Sequence, residues 1–329
     1  MRETRLKIKL AGKDISEDVE PYLRGLTYTD VLSGEADTLE ITLTDVDKKF
    51  LGDWFPPRGS TLDVTLLKNW EVHETLELGE FEIDEVTYST PPSVCKLKAV
   101  SIPQNSELRQ IDESKSWEHV KLSEIARDIA EASKVELIYE TDYDPEITRA
   151  EQGEQSRLAF LEKICADNGL CLKFSDGKLI VFEESKLESQ EPAATLTWTD
   201  LKQFNGRATL QEVYKACEVN YKHGKQDNLY KARAEDKTKT EGKTLKINKK
   251  VDSQAEADRL AKFELRKKNK QELVVTLTLP LDVRLVAGNV VELKDFGFFN
   301  GKWLINRATI NVDNGSTSRI ELHKCEDKS

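Results

Sequence analysis

Apolar and polar positions alternate along most of this chain, and the period changes in identifiable places. Leu26 and Tyr28 share one face of a first strand. Leu39, Ile41 and Leu43 share a face of a second, with Glu40, Thr42 and Thr44 opposite. A period of two is what a half-buried antiparallel strand needs. Ser33-Gly34 supplies the turn between them, because glycine tolerates positive φ. Asp45-Val46-Asp47-Lys48-Lys49 then reads as one helical turn, acids leading and lysines trailing, as the helix dipole favours. Trp54, Phe55, Pro56, Pro57 and Gly59 make a stiff aromatic corner before a strand at 61–67. The corner reads either as a plug over one end of a barrel or as a partner contact. Residues 5–10 alternate as well. So do residues 76–88, where Leu76, Leu78, Phe81, Ile83 and Val86 look inward and a slip near Gly79 predicts a bulge. Pro91-Pro92 makes a hairpin tip, and 94–102 returns. Five or six strands without a long helix predict a barrel or closed sandwich over residues 1–103.

After Pro103 the period becomes helical. Leu122, Ile125, Ala126, Ile129 and Ala130 lie on one helix face. A strand at 135–139, an acidic loop at 140–153 and a second helix at 157–168 follow. Ser156 suits the N-cap of that helix and Gly169 the position after its end. A hairpin over 170–182 turns at Ser175-Asp176-Gly177. Residues 104–184 therefore predict an α+β insert, and the polar stretch 183–192 reads as a linker.

The last part is β-rich again. Val213, Ala216 and Val219 alternate imperfectly over 212–221, and 228–234 and 243–247 read as exposed edges. One helix interrupts at 254–268, with Ser253 and Glu256 as a capping box and Ala257, Leu260, Ala261 and Leu265 as its stripe. Strands resume at 273–279, 290–293, 302–311 and 317–323. Asn300-Gly301 and Asn314-Gly315 read as hairpin turns.

Charge sharpens this division. The chain has 329 residues, 33% of them charged, and a formal net charge of −11. Residues 1–103 carry 12 basic and 20 acidic side chains, 104–200 carry 11 and 22, and 201–329 carry 26 and 18. The reversal to a net +8 argues for a domain boundary near 201. Hydrophobic residues are 38%, enough for packed cores. No apolar run approaches the roughly 20 residues of a membrane span. The N-terminus alternates like a strand and is no signal peptide, so the chain is expected to stay in a cytoplasm unless it leaves inside a larger particle. The five cysteines, Cys95, Cys165, Cys171, Cys217 and Cys325, form no CxxC pair and read as buried free thiols.

Catalytic and metal patterns are weak. His73, His119, His223 and His323 are scattered without zinc spacing and read as surface or edge residues. Gly242-Lys243-Thr244 lacks the earlier glycine of a phosphate loop, since position 237 is Lys237. Asp142, Asp144 and Glu146 have calcium-loop spacing, but Ile147 and Gly153 stand where Gly and Glu are required. No G-x-S-x-G elbow is present, and carboxylate pairs such as Glu183-Glu184 are unremarkable among 60 acids. The basic runs 237–250 and 266–270 lack the interleaved aromatics of single-strand binders and read as a solvated or partner-facing surface. No cofactor, no metal, no membrane and no sequence-specific nucleic acid are expected.

Four stretches carry a family resemblance. The first has Ser33, Gly34, Ala36, Asp37, Thr44, Asp45 and Phe50, then Gly52, Asp53, Trp54, Phe55, Pro56 and Gly59. The second is the helix with Ser156, Phe160, Leu161, Gly169 and Leu170. The third is the helix of residues 253–265. The fourth, the most specific, has Leu285, Gly288, Val290, Leu293, Phe296, Gly297, Gly301, Lys302 and Ile305. In this order they resemble the phage late control protein D family, the baseplate hub proteins of contractile phage tails and phage-tail-like bacteriocins. Two departures are noted: Lys121 precedes the first insert helix where relatives often carry a capping Ser or Thr, and Asn311 stands where some have His.

The resemblance implies a mainly β, α+β chain with two tube-protein-like antiparallel β-barrel domains, 1–103 and 193–329, flanking an α+β insert and linker at 104–192. It implies a structural, non-enzymatic homotrimer in the baseplate of a virion or tail-like particle, assembled in the bacterial cytoplasm. Its partners would be a central spike protein, a tail tube or tube-initiator protein, a tape measure protein and other baseplate proteins. Trp54, Phe55, Phe296, Phe298 and Phe299 are the candidate interface residues. Two other readings compete. One is a baseplate-associated cell-wall hydrolase working through acids of the insert, against which the lack of a lysozyme-like or LysM-like stretch weighs. The other is a free-standing carbohydrate-binding β protein.

Overall fold

The computed structural model describes residues 3–69, 73–103, 106–111, 115–222, 229–249, 251, 253–313 and 315–326. His223, Asn228, Lys250 and Asn314, singled out above, lie outside the described residues. The first part comprises β1 (Glu3–Leu10), β2 (Lys13–Asp14), the short α1 (Ser16–Val19), β3 (Leu23–Val31), β4 (Thr38–Thr44), β5 (Thr61–Asn69), β6 (His73–Ser89) and β7 (Val94–Val100). The alternating residues Leu26, Tyr28, Leu39, Ile41 and Leu43 pack with Leu62, Val64, Leu66, Phe81 and Ile83 in one core. Strand β6 keeps its apolar side inward over 17 residues by slipping twice. One slip lies at Gly79, whose φ is +96°, opposite Val64 and Thr65; the second lies between Ile83 and Glu85. Each extra residue restores the face that a strict period of two would lose. The helical turn expected at 45–49 does not form. Lys48 has φ +58°, and the buried Asp45 accepts the Leu51 N–H at 3.2 Å, so the segment is a chain of turns.

The middle part holds β8 (Lys115–Lys121), α2 (Leu122–Ser133), β9 (Glu136–Glu140), β10 (Glu146–Gln152), α3 (Arg157–Asp167), β11 (Cys171–Ser175), β12 (Lys178–Phe182) and α4 (Glu184–Glu188). The predicted stripe of α2 is buried against Phe160, Leu161 and Ile164 of α3. Ser156 caps α3, accepting the Ala159 N–H at 3.2 Å. Helix α2 is capped from a distance: Asp144 accepts from the Ser123 N–H at 2.9 Å and its hydroxyl at 2.7 Å. This supplies what Lys121 at the N-cap cannot. Two expectations are corrected here. The acidic loop at 140–153 contains β10, paired antiparallel with β8. The linker at 183–192 contains α4, whose Glu188 is buried.

The last part holds β13 (Ala194–Leu196), β14 (Gln203–Ala208), β15 (Tyr214–Lys222), β16 (Leu229–Glu235), β17 (Lys243–Ile247), α5 (Gln254–Asn269), β18 (Leu273–Pro280), β19 (Val290–Leu293), β20 (Gly301–Val312) and β21 (Thr317–Lys324). Strands β16, β15 and β17 form their own three-stranded sheet, and the apolar stripe of α5 packs on it. Asn300-Gly301 does not close a tight hairpin. A loop with a 3-10 turn at Gly297–Phe299 joins β19 to β20 instead, and Asn300 Oδ1 accepts the Phe296 N–H at 2.7 Å.

Both β-rich parts belong to one 13-stranded sheet, whose main path is β14-β18-β21-β20-β3-β4-β7-β6-β5-β1-β2. Strand β20 makes the link. Its start pairs with β19, its end (307–312) pairs with β3, and β21 runs along most of it. Trp303 and Ile305 serve the C-terminal core, while Ile310 and Val312 serve the N-terminal one. The insert is pinned to this sheet by Lys173 of β11. Its ammonium lies 2.5 Å from Asp30, 3.4 Å from Asp37 and 2.7 Å from the Val31 carbonyl. Asp30 also accepts the Ala287 N–H at 2.8 Å, and Asp37 the Val31 N–H at 2.9 Å. Burial pushes the Asp37 carboxyl up to about 6, with the Lys173 charge opposing that rise. Removing the cation leaves two buried carboxylates unpaired. Lys173→Met is expected to lower unfolding stability by about 3–5 kcal/mol, read from the urea midpoint. Adding Asp30→Asn and Asp37→Asn is expected to recover part of that loss.

Candidate functional site

Among the described residues, the exposed Trp and Phe side chains fall into two groups, one on each β-rich part. At the N-terminal corner Phe50 is buried and Trp54 leans on it edge to face, at 5.8 Å between ring centroids. Tyr22 packs against both rings, and the Lys49 ammonium sits 4.9 Å over Trp54. Phe50 is thus the plug, while Trp54 and Phe55 remain 40% and 47% exposed beside Val46 and Leu51. The second group lies on the 3-10 turn after β19. Phe296 is buried, stacked on Trp198 at 4.8 Å and Phe204 at 5.3 Å. Phe299 is half-buried between Phe204 and Trp303. Gly206 lets the rings close in, since a Cβ there would stand 2.7 Å from Phe204 and 2.8 Å from Phe299, and the rings would have to shift. Phe298 projects, 73% exposed. The structure therefore brings Phe296, Phe298 and Phe299 together, and leaves Trp54 and Phe55 on another loop. Trp198, half exposed and donating to the Asp295 carbonyl at 2.7 Å, was not anticipated.

The strongest electrostatic feature is buried. His323 on β21 is 1% exposed, which corrects its reading as a surface or edge residue. His73 and His119 are exposed, as expected. His323 Nε2 lies 3.1 Å from Glu184 and 3.0 Å from Glu188, both on α4, while Nδ1 meets Asn306 at 2.8 Å. Arg266 of α5 reaches Glu188 at 2.6 Å, and Lys270 reaches Glu184 at 2.9 Å. This corrects the reading of the 266–270 run as wholly solvated or partner-facing. One imidazole and two carboxylates can also hold a metal ion. Here, however, Arg266 and Lys270 already pair with Glu184, Glu188 and Glu326, and His323 meets both acids of α4, so the donor set is engaged in a salt-bridge network. Burial opposes charge on His323, but its two glutamate partners outweigh that and raise its pKa. Burial likewise opposes charge on Glu184, but His323 and Lys270 hold its carboxyl well below the usual range. The candidate calcium acids do not converge on a cage: Asp142 pairs with Lys186, Asp144 caps α2 and Glu146 faces His119.

The candidate features are thus aromatic loops on a shared sheet, together with ionic locks between its parts. A family model for the phage tail baseplate hub (GPD) matches residues 102–316. The chain belongs to the phage tail baseplate hub family. A "Probable baseplate hub protein" of Escherichia phage 186 is 25% identical over 244 residues, covering 73% of this hub chain and 61% of the relative. One of Escherichia phage P2 is 27% identical over 198 residues, covering 59% and 50%. The hub chain therefore spans between half and three fifths of the length of these relatives. In fold it is similar to the 43 kDa tail protein of prophage MuSo2 from Shewanella oneidensis, with TM-score 0.72, 14% identity, and 97% and 96% of the two chains covered.

The buried network has a pH signature. The raised pKa of His323 gives stability that is full below its ordinary 6.5 and fades as pH rises through the folded value. The lowered pKa of Glu184 gives stability that is present above its ordinary 4.5 and fades as pH falls through the folded value. The network therefore contributes most between about 4.5 and 6.5. In thermal melts of wild type and His323→Gln across pH 5–9, the gap in Tm is expected to be widest near pH 5–6 and to narrow as pH rises.

Proposed function

We propose that the hub chain is a structural adaptor joining the sixfold tail tube to the threefold central spike, as a homotrimer in the baseplate of a virion or tail-like particle. The observation that carries this reading is β20, which sets two β-rich parts side by side in one sheet. Three such chains offer six comparable β units around a threefold axis. In this reading residues 1–103 and 193–329 are the two ring-forming barrel domains, and 104–192 is the insert with its linker. Assembly takes place in the bacterial cytoplasm, and tube, tube-initiator, tape measure and other baseplate proteins are the further partners. Trp54, Phe55 and Phe298 are the exposed anchors, with Phe296 and Phe299 holding the second loop from behind. The chain works through interfaces and not as an enzyme.

Charge supports the arrangement of neighbours. Residues 1–103 carry −8 and residues 201–329 carry +8, so alternating the two units around a ring sets unlike charges against each other. Light scattering at moderate salt is expected to give three times 37.4 kDa, about 112 kDa, with the trimer fraction falling as salt rises. A monomer at every concentration, alone and with the spike added, contradicts the reading.

A further inference from the structure

The sheet β16-β15-β17 and α5 form a unit with its own core, and no described side chain belongs both to that core and to the core of the insert. The chain enters the unit through residues 209–213 and leaves it through 270–272. These two segments are tied together. The Thr209 N–H donates to the Glu272 carbonyl at 2.9 Å, and the Asn269 side chain bonds both main-chain groups of Tyr214 at 2.8 Å. Glu212, in the first segment, has φ +58°, a left-handed conformation uncommon outside glycine.

Helix α5 joins this unit to the rest of the chain through charge. Its apolar stripe packs on its own sheet. Arg259, Arg266 and Lys270, spaced seven and four positions apart, share another face. Near the tied segments, Arg266 pairs with the buried Glu188 at 2.6 Å and Lys270 with Glu184 at 2.9 Å. At the other end the contacts are half-exposed. Lys249 pairs with Asp167 at 2.8 Å, the two side chains being 39% and 48% exposed, and Arg259 lies 3.2 Å over the Tyr143 ring. A cleft of about 310 Å³ lies at this end, with Phe160 and Ile164 of α3 and Leu260 and Phe263 of α5 among its lining. Its walls carry four carboxylates and four cations, so no ligand of one sign is favoured and the charges serve the seam itself. Two cores joined by an interface this polar move relative to each other unless a contact fixes them.

We infer that β15–β17 and α5 form a hinged lid on the insert. The segments 209–213 and 270–272 are the hinge, the Arg266–Glu188 and Lys270–Glu184 pairs are the pivot, and Lys249–Asp167 with Arg259–Tyr143 is the latch. Arg259 stands 11 positions from Lys270 along the helix, an arm of about 16 Å, so a small rotation at the pivot parts the latch. Opening uncovers the apolar side chains of the cleft while both cores and the pivot stay whole. This goes beyond the adaptor reading and does not depend on ring formation.

The test uses the full chain with nitroxides on Ala166→Cys of α3 and Ala255→Cys of α5, both exposed positions, in a Cys171→Ser background. Double electron–electron resonance is expected to give one narrow distance at low salt. A second, longer distance is expected to grow as salt rises to about 1 M, where the screening length is about 3 Å. Asp167→Lys is expected to enlarge the longer population about fivefold at low salt, and adding Lys249→Asp to return it to its starting value. Hydrogen exchange along α5 is expected to stay unchanged in Asp167→Lys, because the lid moves as a body. A single distance in every sample overturns the proposal, and so does an open population that the charge swap leaves in place. Faster exchange along α5 replaces the hinge by local unfolding and overturns it as well. Light scattering on the same samples reports assembly separately, so a failure here and a failure of the adaptor reading are distinguishable.

Discussion

The fold hangs on one largely buried ammonium. Lys173 reaches from the insert hairpin into the end of β3, between Asp30 and Asp37, at the point where the insert meets the sheet. Neither carboxylate is tolerable there without a cation, and the cation is tolerable only with both carboxylates and the Val31 carbonyl around it. Asp30 also fixes Ala287, in the loop before β19, so a single ion group registers the first strands, the insert and the closing strands against each other. Around it lies a small apolar cluster of Leu32, Phe182, Val290, Leu304 and Cys325, drawn from the same three parts. The second ionic group, at His323, is built on the linker helix α4 itself. There α4, α5 and β21 are tied through one imidazole and two carboxylates.

These locks let one sheet serve two cores. A strand of 12 residues that belonged to a single barrel would present one continuous apolar face to one core. Strand β20 instead shifts register between Ile305 and Arg307 and passes from the C-terminal core to the N-terminal one. The less tightly integrated elements, the β15–β17 sheet with α5, sit outside that path with a core of their own.

Much of this was legible in the sequence, where local pattern decides. The alternation of Leu39, Ile41 and Leu43, the slip at Gly79, the stripe and Ser156 cap of the insert helices and the Ser253 cap of α5 all carry local signals that tertiary packing reinforced. Strand β10 was hidden because its pattern, Ile147, Arg149, Ala150, Gln152, is interrupted opposite His119, which has φ +53°. The ionic groups were hidden for a different reason. Glu184 and Glu188 look like solvated linker acids until His323, well over a hundred residues away, is placed beside them. Sequence distance erases charge compensation, whereas hydrophobic periodicity survives it. Among the aromatic candidates, the sequence did not show which ring faces outward: Phe296 turned inward and Phe298 out, a choice made at the 3-10 turn of Gly297–Phe299.

The central claim is geometric: two β units of one chain occupy neighbouring places around a ring. Electron microscopy of the purified assembly tests it most directly. The account predicts threefold-symmetric particles with six lobes of similar size around a central opening, alternating between the N- and C-terminal units. Twofold particles, open filaments, or a threefold ring with only three lobes would contradict it.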